Sequence, residues 1–143
     1  MGEMIELTAA DGHKFAAYRA APAAAPKGGI VLLQEIFGVN SHIREVCDGY
    51  AKDGYLVVAP ALFDRVKPSV QLGYEQADIK EGLDYRAKVA EGDALKDIDA
   101  AAKSIRDVGS ITVIGYCWGG TLTYLAACRL ASVDKAVSYY GGQ

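Results

Sequence analysis

Cysteine is scarce in this chain: there are three, Cys47, Cys117 and Cys128. An odd, widely spaced set supports neither a disulfide framework nor a metal-binding spacing, and no cofactor motif accompanies it. Histidine is scarcer, with two, His13 and His42, both in the first third and both expected to be ordinary surface residues. Basic residues never cluster, and 15 Lys and Arg against 18 Asp and Glu leave a net charge of −3, which argues against nucleic acid as a partner. No apolar run approaches the roughly 18 residues that span a bilayer, so no membrane role is expected. The N-terminus, Met1-Gly2-Glu3-Met4, lacks the basic and apolar regions of a secretory signal. A reducing cytoplasm is therefore the expected compartment. What is present is the material of a folded protein. Hydrophobic residues at 51% against 23% charged exclude disorder, and 143 residues suffice for a single domain, 1–143, with a real core.

The chain alternates between short apolar runs and helical patterns. Met4–Thr8 and Lys14–Ala20 flank Asp11-Gly12, the signal of a β-hairpin. Gly29–Gln34, Tyr55–Ala59 and Ile111–Gly115 are apolar on both faces, as buried parallel strands are, and Lys135–Tyr140 reads as a fourth strand of parallel type. Asn40-Ser41 caps a helix with Ile43, Val46, Cys47 and Tyr50 on one stripe. Leu95, Ile98, Ala102 and Ile105 mark a helix over Asp93–Arg106, and Gly119–Leu130 reads as another. Cys47 and Cys128 are expected on the apolar stripes of their helices. Asp64–Glu91 is polar and irregular, and reads as a long excursion with one or two helical segments. The pattern is that of an α/β protein with a mainly parallel sheet preceded by an antiparallel hairpin.

Gly115-Tyr116-Cys117-Trp118-Gly119-Gly120 joins a buried strand directly to a helix. It is G-x-C-x-G, the thiol form of the nucleophile elbow. A sharp strand-to-helix turn strains the nucleophile's backbone, and small residues two before and two after allow strand, turn and helix to crowd together. The thiol then stands at a helix N-terminus, where the dipole and free N–H groups favour a thiolate and can receive an oxyanion. The backbone N–H of Trp118 is the expected first oxyanion donor. Gln34-Glu35-Ile36-Phe37-Gly38 follows another buried strand, which sets the Glu35 carboxylate at a strand's carboxyl end, the edge at which open α/β sheets bind ligands. If the two strands are neighbours, Glu35 and Cys117 meet there.

These residues resemble the dienelactone hydrolase family (carboxymethylenebutenolidases), a branch of the α/β-hydrolase fold. The match comprises Asp11-Gly12-His13, Gln34–Asn40, Arg44-Glu45, Gly54-Tyr55, Ala59-Pro60, Gly115–Gly120, and Ala136-Val137 with Tyr139-Tyr140-Gly141. The resemblance implies helices on both faces of the sheet and hydrolysis of an ester or lactone. It implies Cys117 as nucleophile, Glu35 as the carboxylate that controls the thiol's ionisation, Ile36 as donor of a second oxyanion N–H, and Phe37 and Tyr74 as substrate-binding residues. Tyr74 falls on or near the family's substrate-binding arginine, so it brings no positive charge to a carboxylate substrate.

The fold carries its triad in the order nucleophile, acid, histidine, and no histidine follows Cys117. The one aspartate that follows, Asp134, begins the last strand, about 20 Å from the nucleophile edge for a six-residue strand. The expectation is therefore the N-terminal part of the fold, with the triad Asp and His and the C-terminal strands and helices absent from this chain. The edge of Lys135–Tyr140 is then expected to pair with a second copy or a complementing C-terminal segment. Two other readings use the same residues differently: a non-catalytic binding module of this fold, and a thiol or redox sensor built on Cys117.

Overall fold

A computed structural model describes residues 2–142. Six strands form one sheet in the order β1-β2-β4-β3-β5-β6. The hairpin strands β1 (Glu3–Thr8) and β2 (Lys14–Ala20) are antiparallel to each other, and β2 is antiparallel to β4 (Leu56–Pro60). From β4 onward, β3 (Gly29–Leu33), β5 (Ile111–Tyr116) and β6 (Lys135–Tyr139) all run parallel. Side chains alternate across a strand, so each central strand supplies two cores. Ile30, Leu32, Val57 and Ile114 pack with Ile43, Cys47 and Ala51 of α1 (Ser41–Lys52) on one face. Val31, Leu33, Val58 and Val113 pack with α3 (Glu91–Ser104) and α4 (Trp118–Arg129) on the other. Burial on both faces is why these strands read as unbroken apolar runs.

The polar stretch after β4 contains a 3-10 turn, Leu62–Arg65, and α2 (Gln76–Lys88). This helix lacks an apolar stripe because Gly82 is its one buried residue. A Cβ at Gly82 would collide with the Ile36 carbonyl oxygen, so the helix docks backbone to backbone against the segment after β3. A capping box between Glu75 and Asp78 starts it, satisfying orphan N–H groups that apolar packing does not cover.

Arg65 ties the layers together. Its guanidinium pairs with Asp97, fully buried on α3 (Nη2–Oδ1 2.8 Å, Nε–Oδ2 3.0 Å), and with Asp11 in the hairpin turn (Nη1–Oδ2 2.9 Å). A buried carboxylate left without such a partner would be strongly destabilising. Arg65 holds the carboxyl of Asp11 down, at about 2.

Two expectations change. Cys47 is buried, and burial pushes its thiol up to about 12, but Cys128 is exposed on the outer side of α4 rather than on an apolar stripe. His13 is half-buried rather than at the surface: it stacks on Phe15 (ring centroids 5.9 Å apart) and its Nε2 is enclosed without a hydrogen-bond partner. The last strand pairs with β5 as expected, yet all five of its residues are exposed, because no helix covers either of its faces completely.

Candidate active site

The chain leaves β3 through α1 to reach β4 on one side, then returns through α2 and α3 to β5 on the other. The strand order therefore reverses between β3 and β5, which opens a crevice at their carboxyl ends. Leu33 stands opposite Gly115 in the register. Glu35 and Cys117, each two residues further along, leave the sheet side by side at that point.

Cys117 adopts φ 57°, ψ −121°, a left-handed conformation that costs a non-glycine residue strain. Three backbone approaches hold it there. A Cβ on Gly115 would overlap the Gly119 carbonyl oxygen and the Thr123 hydroxyl. One on Gly119 would strike the Gln34 and Leu33 carbonyls, and one on Gly120 would lie 2.6 Å from the Tyr139 carbonyl oxygen. The Cys117 N–H donates to the Tyr139 carbonyl (3.1 Å), and its own carbonyl accepts from the Thr121 N–H (3.1 Å). Trp118 opens α4, so its N–H has no intrahelical acceptor. Among the described residues neither the Trp118 nor the Ile36 N–H donates to a protein acceptor. The Trp118 indole points into the core and stacks on Phe63 (centroids 5.3 Å apart, 19° between planes), which anchors the first turn of α4.

The Glu35 segment is pinned from three directions. Fully buried Gln34, quoted in the motif but given no role by sequence reasoning, accepts from the Leu62 N–H (3.0 Å) and donates to the Glu35 carbonyl (3.1 Å). Gly38, at φ 79°, bridges to Gln71, and the Leu72 N–H donates to the Phe37 carbonyl (2.8 Å). This bridge brings Tyr74 across. Its hydroxyl lies 3.2 Å from Glu35 Oε1, and its ring meets that of Phe37 edge-on at 4.5 Å. His42, exposed at the start of α1, places its ring 6.4 Å from that of Tyr74.

Tyr140 is a neighbour that sequence reasoning did not single out. It follows β6 at φ 37°, and its ring lies 6.5 Å from that of Tyr116. Burial first, then the charges of Glu35 and Cys117 and its hydrogen bond to Glu35, raise its hydroxyl pKa. Its signal was the Tyr139-Tyr140-Gly141 run after a parallel strand, at the same sheet edge as the elbow.

Asp134 lies at the other end of the sheet, as expected. Its carboxylate accepts from the N–H of Ile111, the first residue of β5 (2.8 Å), and faces Arg106 at 3.3 Å. Among the described residues no group of His, Cys, Asp and Glu is placed to hold a metal ion, and no helix is long and apolar enough to cross a membrane.

Similarity to known proteins runs through both motifs. The chain is 37% identical over 134 residues to a Synechocystis protein provisionally named a carboxymethylenebutenolidase, covering 90% of this chain and 54% of that one. It is 36% identical over 144 residues to the carboxymethylenebutenolidase of Pseudomonas putida, covering 97% and 61%. A crystal structure of a Klebsiella pneumoniae protein, provisionally named a dienelactone hydrolase, superposes with a TM-score of 0.78 at 32% identity, covering 99% of this chain and 62% of that one. The chain thus spans between half and two thirds of the length of these relatives. The model of the dienelactone hydrolase family matches residues 15–143, a span that takes in Glu35 with its loop and Cys117 in its elbow: this chain belongs to the dienelactone hydrolase family.

Proposed function

We infer that the chain carries the nucleophile half of an active site that hydrolyses carboxylic esters or lactones. One observation carries this reading: a cysteine held at φ 57° at a helix N-terminus, beside a carboxylate at the reversal point of the sheet. The Cys117 thiolate attacks the substrate carbonyl carbon, and the oxyanion receives the N–H groups of Trp118 and Ile36. The tetrahedral adduct collapses to a thioester as the alcohol leaves and takes a proton. Water then cleaves the thioester, giving the acid and restoring Cys117. Phe37 and Tyr74 line the substrate side. The proton transfers need a general base, worth roughly 10²–10⁴-fold, and the triad Asp and His come from outside residues 1–143. The described residues share one sheet with a core on each face, which supports a single domain. Three free cysteines suit a reducing, cytoplasmic setting. The test is hydrolysis of p-nitrophenyl acetate by the full-length protein. Turnover that depends on Cys117 supports the reading, and a folded protein without turnover overturns it in favour of a binding or thiol-sensing role.

Glu35 acts on the thiol by charge. A carboxylate beside a thiolate disfavours it, against the pull of the α4 N-terminus. Glu35→Gln is expected to speed alkylation of Cys117 by iodoacetamide at pH 7 on the order of tenfold, read on the Cys117 peptide by mass spectrometry. Equal or slower alkylation would show that the two groups do not interact.

The open edge of β6 takes a further strand, from a second copy or a complementing segment. Val137 and Tyr139 are 40% and 44% exposed, and the only charge on the strand is Lys135 at its start, so little blocks edge pairing. Light scattering on the 143-residue chain is expected to give a mass above 15.2 kDa, lowered towards the monomer by Val137→Lys. A monodisperse monomer for the unaltered chain contradicts this.

A further inference from the structure

We propose that Tyr74 is a positioning residue that turns a one-way hydrogen-bond relay, Asn40 to Tyr74 to Glu35, onto the carboxylate beside Cys117. The proposal rests on the reading of Cys117 and Glu35 as the reacting pair and assigns what governs that pair.

The direction of the relay follows from groups that can play only one part. Asn40 caps α1, and its Oδ1 accepts from the Ile43 N–H (3.2 Å). A backbone N–H can only donate, so the amide oxygen must face it. The Nδ2 group of Asn40 then faces the Leu72 carbonyl (3.0 Å), which can only accept, and the Tyr74 hydroxyl (3.2 Å). Both ends of the amide agree on one orientation. An amide NH₂ donates and does not accept, so the Tyr74 oxygen accepts from Asn40 and its own proton is free to point at Glu35 Oε1, 3.2 Å away. Asn40 is 4% exposed, which leaves little room for water to replace it. The Phe37 ring, edge-on to Tyr74, holds the phenol in this direction.

The consequence reaches the thiol. A donated O–H takes up part of the carboxylate's charge and fixes one of its oxygens on the Tyr74 side. The carboxylate therefore repels a Cys117 thiolate less, and is less free to turn and accept the S–H proton. Tyr140, which follows β6, is the other hydroxyl bonded to Glu35; with the Tyr74 hydroxyl gone it alone answers the carboxylate, more of the charge bears on the sulfur, and the thiol form gains. The relay thus favours the reactive form of Cys117, while Glu35 itself opposes it.

The test is the pH profile of Cys117 alkylation in the full-length protein, resolved by peptide so that Cys47 and Cys128 do not contribute. Tyr74→Phe is expected to slow alkylation at pH 7 by about three- to tenfold, the range of an ordinary hydrogen bond, since the effect reaches the thiol through the carboxylate, and to move the profile to higher pH. Asn40→Ser keeps a good cap but is too short to donate to the Tyr74 hydroxyl and fix its direction, so the same direction of change is expected. In a Glu35→Gln background both substitutions should lose their effect. An unchanged profile in Tyr74→Phe, with Glu35→Gln still speeding alkylation, overturns the relay and leaves the Glu35–Cys117 pair intact. No effect of Glu35→Gln itself overturns the pair and the relay together. A Tyr74→Phe effect that persists undiminished in the Glu35→Gln background overturns the relay, because Tyr74 then acts by another route.

Discussion

Cys117→Ala is expected to reduce ester hydrolysis by the full-length protein on the order of 10⁴–10⁶-fold, the range seen when a covalent nucleophile is removed. The proposed oxyanion donors are backbone N–H groups, of Trp118 and Ile36, and survive the substitution, so a residual rate above water is expected. The fold should survive as well. Alanine fits the space of the thiol, and the strained φ of 57° is held by crowding around Gly115, Gly119 and Gly120 rather than by the sulfur. Circular dichroism and the fluorescence of the Trp118 indole, stacked on Phe63, report this independently of activity. Cys117→Ser tests the thiol more sharply. A serine hydroxyl in the same turn is barely ionised near neutral pH, so it depends more heavily on a general base. Alanine at position 117 with turnover near that of the unaltered protein would falsify nucleophilic catalysis at this residue.

Gly115→Ala is expected to be the most damaging single methyl group on this chain's elbow. The added Cβ would overlap the Gly119 carbonyl oxygen and the Thr123 hydroxyl. One of these is helix backbone, and the other is buried and bonded to that same carbonyl at 2.8 Å, so neither can yield without moving α4 off the sheet. Overpacking of this kind costs about 1–3 kcal/mol, with larger values where backbone must shift. About 3 kcal/mol corresponds to a fall of roughly 10 °C in melting temperature at this chain length. Gly49→Ala in α1 is the control. Nothing lies within 4 Å of a Cβ there, and removing a glycine from an exposed helix interior is expected to stabilise by about 0.5–1 kcal/mol. Thermal melts of the two variants should move in opposite directions. Similar melts would show that the elbow tolerates a side chain at position 115.

Particular residues show why some of this was legible in the sequence. Asp11-Gly12 between two apolar runs sufficed for the hairpin, because a tight turn has few chemical solutions. Ile30 to Leu33 and Val57 to Ala59 announced buried strands, because both of their faces meet helices. Gly115-x-Cys117-x-Gly119 announced the elbow, because only very small residues fit where Gly119 passes the Leu33 and Gln34 carbonyls. Helix α2 was blurred for the opposite reason: it packs through the backbone at Gly82 and shows no apolar period. Cys128 was misplaced because α4 is apolar nearly all round, so composition does not say which side faces water.

The sequence by itself determined the fold class, the family and the two chemical groups, since each depends on local spacing or on a motif whose physics is contained within a few residues. Tertiary structure alone decided which groups meet. Glu35 and Cys117 are neighbours only because β3 pairs with β5, a choice of strand order that no local pattern encodes. Tyr74 reaches Glu35 only because the Gly38–Gln71 bridge folds one loop over another, and the direction of its hydroxyl depends on a helix cap formed by Asn40. His13 is enclosed, and Arg65 joins Asp11 to Asp97, because the hairpin turn docks against α3. These are contacts between residues far apart along the chain, set by how the layers pack.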